Sequence, residues 1–219
     1  MDIEVTESGT AAHPVPRERV GRRGLLAAGV GGAALSLLPF LSGRAGASAT
    51  TDGSTTSTTT PPLRPTDDDV ALLSFAQQVE LTALALYDKA IATGGWSDAQ
   101  ATVMVNLREA HQAYGNALSG FLGRKAPGAP DEQLFNQLKG DFAGSVADML
   151  DAAYALESAA VATHLDVLAK LQGTDGASLI ASILVNEARH GTVLADLNGK
   201  TDDADLLVDK EADSLVGNG

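Results

Sequence analysis

The chain has 219 residues, 15 of them basic and 28 acidic, for a net charge of −13 at pH 7. That balance repels phosphate backbones, and 4% aromatic residues leave no platform for stacking bases, so no nucleic-acid partner is expected. Cysteine is absent, which excludes disulfides, zinc–thiolate sites, iron–sulfur clusters and thiol catalysis.

Residues 1–47 read as an export signal rather than as part of the fold. A basic stretch, residues 17–23, precedes an uncharged run over 24–42, and small residues follow around Ala45 to Ala49. Arg22-Arg23 followed by Gly24-Leu25-Leu26 resembles the twin-arginine type. Four glycines make the run only mildly apolar, and Arg44 beyond it fits that type as well. Cleavage after Ala47 or after Ala49 is equally compatible. The alternative is an uncleaved membrane anchor, since the run is just long enough to span.

Residues 48–67 are rich in Ser, Thr and Pro and read as a flexible linker. From there to residue 198 the hydrophobic period is helical throughout. The first segment spans about Asp68 to Thr93, with acids at its N-terminus and Gly94-Gly95 at its end. The second spans about Ser97 to Gly123. A loop over 124–140 holds a short helix near Leu134–Leu138. The third segment spans about Asp141 to Leu171, and the fourth runs from after Gly176 to near Asn198. Short links make two hairpins and a longer connection joins them, which predicts an all-α, antiparallel four-helix bundle over 68–198. Residues 199–219 read as an acidic C-terminal tail.

The informative residues are polar ones on apolar helix faces. On the fourth segment, Glu187 and His190 interrupt a stripe of Ile180, Ile183, Leu184 and Leu194. A buried carboxylate costs several kcal/mol unless it is paired or bound to a cation, and residues at i and i+3 can reach one ion together. Glu157 and His164 lie in the apolar stripe of the third segment, seven residues apart, too far to share an ion easily. Glu157 is a candidate ligand; His164 reads as a supporting or structural histidine. His111 is central on the second segment, either a ligand or a satisfied core histidine. Glu80 lies on the inner face of the first segment or at its border. Glu109 falls on the wetter side of its helix and is set aside.

With Glu80, His111, Glu157 and the pair Glu187-x-x-His190 placed, the chain resembles the ferritin-like superfamily, in particular the exported bacterial ferritin-like proteins with twin-arginine signals. The stretches SFAQQVELTALALYDKAI and ASILVNEARHGTVLADL carry the resemblance, which covers about residues 68–198. It implies a site for two iron or manganese ions, held by a Glu from each of two helices and a Glu-x-x-His from each of the others. Glu80, His111, Glu157, Glu187 and His190 match that pattern. Arg108 stands where the second helix should carry its Glu, and Tyr114 lies three residues past His111, so the set has five ligands rather than six.

Two functions follow as expectations. One is an extracytoplasmic, metal-binding ferritin-like protein with oxidation chemistry, delivered by the twin-arginine export machinery. The other is a metal-free helical bundle serving as a binding or stress-response module, its buried carboxylates paired with Arg108 and the histidines. The sequence allows a homodimer and disfavours a large shell, where every subunit would have to accommodate a linker and an acidic tail.

Overall fold

The computed structural model describes residues 64–200, 202 and 207–216. The expected export signal and nearly all of the linker lie outside these residues. Five α-helices and no strands occur among them.

Helix α1, Asp67–Thr93, begins with a reciprocal cap. The Thr66 hydroxyl accepts from the Asp69 amide, and the Asp69 carboxylate accepts from the Thr66 amide. Helix α2, Asp98–Leu122, starts with the same device in Ser97 and Gln100. A short helix α3, Glu132–Leu138, is capped by Asp131. Ser145 and Asp148 open α4, Val146–Leu168, and α5 spans Thr174–Leu197. The third helix thus starts five residues later than its apolar pattern suggested. Residues Asp141–Ala143 form a separate 3-10 turn that sends Phe142 into the core, and Ser145 stops that turn from merging with α4. Gly94, at φ 79° and ψ −160°, takes a positive-φ conformation open to glycine where α1 ends, and Trp96 donates its indole N–H to the Ala90 carbonyl at 2.9 Å.

Helix α1 packs mainly on α2, and α4 mainly on α5; the two hairpins meet through α1 with α4 and α2 with α5. Two apolar clusters fill the interior. One is built around Leu86, Tyr87, Met104, Phe142, Leu150 and Leu194, the other around Leu73, Tyr114, Leu118, Val167, Ile180 and Ile183. Each long helix passes from one cluster to the other, and each carries buried polar residues in between: Glu80, His111, Glu157 with His164, and Glu187 with His190. The order of the clusters along each helix gives the directions. Helices α2 and α4 run one way and α1 and α5 the other, so every packed pair is antiparallel. The connection over 123–145 therefore returns along the length of the helices, a single long crossover.

Helix α1 is long and apolar enough to cross a membrane, but half of its most apolar window is buried inside the protein, as expected of a core helix. The acidic C-terminal stretch is fastened in its described part. The Asp209 amide donates to Ser158 Oγ at 3.1 Å, the Leu215 amide to Thr163 Oγ1 at 2.9 Å, and the Tyr154 hydroxyl to the Leu207 carbonyl. Asp209, Lys210, Glu211 and Asp213 stay exposed while Val208, Ala212, Leu215 and Val216 are partly covered, so the apolar residues between the charges dock the segment on α4.

Candidate metal centre

Between the two apolar clusters the structure gathers six fully or nearly fully buried side chains, three glutamates and three histidines, from all four long helices. They form two groups whose donor atoms lie within 4.8 Å of one another: His111, Glu157 and His190, and Glu80, His164 and Glu187. All five residues expected from the sequence are present. The sixth, His164, was expected only as a supporting histidine. It belongs to the group of Glu80 and Glu187 rather than to that of Glu157, as the seven-residue spacing implied. Glu187 and His190, expected to reach one ion together, fall into different groups.

Glu157 is the best-satisfied carboxylate. Its Oε1 accepts from the Tyr87 hydroxyl at 2.5 Å and lies 3.0 Å from His111 Nε2, and its Oε2 lies 3.2 Å from His190 Nδ1. Burial works to raise its pKa, but the charges and hydrogen bonds of His111 and His190 outweigh it and hold the carboxyl well below the usual range. Burial likewise works against a charged His111, yet Glu157 and Glu80 keep its pKa well above the ordinary histidine value. His111 Nδ1 lies 2.7 Å from Glu80 Oε2, so Glu80 touches both groups.

The group of Glu80, His164 and Glu187 is less well satisfied. His164 Nδ1 meets Glu187 Oε2 at 2.7 Å, while its Nε2 lies 3.3 Å from Glu80 Oε1 without hydrogen-bond alignment. Burial opposes charge on His164, but Glu187 and then Glu80 raise it to about 9. Burial, together with the charges of Glu80 and Glu157, pushes Glu187 up to about 7 against the pull of His164. Glu80 Oε1, His164 Nε2, Glu187 Oε1 and the Tyr114 hydroxyl are buried without a hydrogen-bond partner. Buried polar atoms normally find one, so four orphans around one polar layer mark a missing partner. Carboxylates plus imidazoles, with donor atoms left over in a dry core, fit a divalent cation.

Arg108 does not take that part. Its guanidinium Nε pairs with Asp88 at 2.9 Å and its Nη1 with Gln112 at 2.8 Å, toward solvent, so an Arg108–Glu80 pair is not formed. The sequence also gave no role to Tyr87. Only its place two turns beyond Glu80, on the same inner face, could have signalled contact with the polar layer.

No curated protein and no solved structure matches the chain. The family model for the ferritin-like domain matches residues 68–200, the stretch that holds all four long helices and all six buried glutamates and histidines, and the chain belongs to that family.

Proposed function

We propose that the four long helices form an antiparallel ferritin-like bundle that binds two divalent ions, iron or manganese, outside the cytoplasm. The observation that supports it most is the pairing of two buried Glu/His groups with donor atoms that no protein group satisfies. Oxygen and imidazole donors suit both ions. Bound iron would supply oxidation of Fe²⁺ by O₂ or peroxide. The chain's own contribution is to hold the ligands at fixed positions, exclude water and keep Tyr87 and Tyr114 protonated beside them. Burial, followed by the nearby glutamate charges, raises the pKa of both tyrosines. Export rests on Arg22-Arg23 and the uncharged run that follows.

Ions that bind the native state alone stabilise it by about 2.7 kcal/mol at a hundredfold excess over the dissociation constant. Adding Fe²⁺ without oxygen, or Mn²⁺, should raise the melting temperature, a chelator should reverse the rise, and elemental analysis should find up to two ions per chain. A melt unmoved by either ion, with no metal retained on dialysis, would leave the metal-free module standing. That second reading draws on one observation, the engagement of both Glu157 oxygens by Tyr87, His111 and His190.

A further inference from the structure

We infer that the two groups fill in order: the first ion is held by Glu80, His164 and Glu187, and the group of His111, Glu157 and His190 takes the second, more weakly. This rests on the metal-binding reading above. It adds His164 as a ligand and ranks the two groups.

The orphaned atoms are unevenly placed. Glu80 Oε1, His164 Nε2 and Glu187 Oε1 all belong to one group, one atom from each member, and no fully buried atom of the other group lacks a hydrogen bond. An ion entering the first group gains three donors that give up no hydrogen bond to meet it. An ion entering the second must draw Glu157 away from Tyr87, His111 and His190, which already engage both of its oxygens. Breaking buried, charge-assisted hydrogen bonds subtracts from whatever the ion provides.

Alignment, rather than distance, points the same way, since the His–Glu contacts of the other group, at 3.0 and 3.2 Å, are hydrogen bonds. Ligands about 2.1 Å from one ion and separated by angles of about 90–110° lie about 3.0–3.4 Å apart. His164 Nε2 and Glu80 Oε1 are 3.3 Å apart and misaligned for a hydrogen bond, whereas the other His–Glu contact of this group, at 2.7 Å, is a hydrogen bond. The Glu187 Oε2 contact engages His164 Nδ1 and orients the ring so that Nε2 is the free nitrogen, the usual arrangement behind a metal-binding imidazole.

His164 also makes up for the carboxylate that α2 lacks. Position 108 is an arginine turned to Asp88, so α2 supplies only His111, and α4 supplies two residues instead of one. The donor sets then differ: two carboxylates and one imidazole in the first group, one carboxylate and two imidazoles in the second. The first suits a harder ion such as Mn²⁺ or Fe²⁺, and the second shifts toward zinc-like preference.

The test is a Mn²⁺ titration of the full chain by equilibrium dialysis with counting of bound metal, on wild type, His164→Ala and His190→Ala, with helix content checked by circular dichroism. Wild type should bind in a tight and a weak step. His164→Ala should weaken the tight step at least tenfold, since even groups behind a ligand are commonly worth 10–100-fold in affinity. His190→Ala should keep the tight step and lose the weak one. Glu187→Gln against Glu157→Gln poses the same contrast should a histidine variant fail to fold. Loss of the tight step with His190→Ala or Glu157→Gln, or equal losses in both members of a contrasted pair, overturns the ordering while metal binding stands. No Mn²⁺ or Fe²⁺ bound by wild type overturns the metal-binding reading itself.

Discussion

Glu157 and Glu187 sit in the same polar layer with opposite electrostatic fates. Glu157 is surrounded by donors and stays ionised; Glu187 shares its proton economy with His164 and lies near two other carboxylates. Without metal, Glu157→Gln should therefore lower stability by about 3–5 kcal/mol, because it takes the charged partner from the buried His111, whose pKa is held well above the ordinary value. Urea unfolding of the metal-free variant and wild type measures this, and a loss under about 1 kcal/mol would mean that the Glu157 contacts carry little. The sequence shows why Glu80 and His111 could be read as neighbours. Glu80 lies thirteen residues before the end of α1 at Thr93, and His111 thirteen after the start of α2 at Asp98, so the hairpin folds one onto the other. The same counting fails in the second hairpin. His164 is four residues from the end of α4, yet its partner Glu187 is thirteen into α5, because the helices are staggered. That stagger is a tertiary packing outcome with no local sequence signal, and it hid His164.

At the scale of elements, boundaries followed from capping chemistry wherever Thr, Ser or Asp stood at the right place. The late start of α4 was missed because the apolar spacing runs on through Phe142 without a break. Asp69 shows how one acid serves two elements. Read alone, it is a charge at a helix start. In the fold it accepts the amides of Gln172 at 2.8 Å and Gly173 at 2.9 Å as well as that of Thr66, tying the α4–α5 link to the first turn of α1. Burial would raise its pKa, but these backbone donors outweigh it and hold the carboxyl below its ordinary 3.8. A depressed carboxylate contributes stability that is whole above about pH 3.8 and is lost as pH falls through its lower folded-state value. Asp69→Asn should thus cost about 1–3 kcal/mol near neutrality, with buried amides left poorly matched. It should also shrink the acid-side fall in melting temperature between about pH 4 and 2. Melts across that range check both, and parallel acid limbs for variant and wild type would contradict the assignment. Gly173 belongs to the same knot: a Cβ there would lie 2.7 Å from the Arg64 carbonyl oxygen and 3.0 Å from Asp69.

For the whole molecule, helical periodicity and link lengths were enough to read two hairpins and a longer connection. The sense of the crossover became visible only when each helix could be followed between the two apolar clusters. The docking of residues 207–216 was legible only in part: acids dominate the composition there, while Val208, Leu215 and Val216, which make the contact, are few and widely spaced. The proposed export belongs to this scale too. Replacing Arg22 and Arg23 together by Lys should leave the precursor in the cytoplasm, as fractionation and immunoblotting would show; unchanged export would refute the twin-arginine reading.

The long crossover has one more consequence. The first hairpin brings Glu80 and His111, the second brings the other four ligands, and each metal group draws on both. An ion in either group, as proposed, would therefore be a clasp between two pieces of chain that are otherwise joined covalently only through residues 123–145. The tip of that connection, residues 127–130, is exposed. A backbone cut there would give two fragments, each a complete hairpin, that still share the two apolar clusters; if the groups hold ions as proposed, added metal would tighten that pairing and a chelator would loosen it.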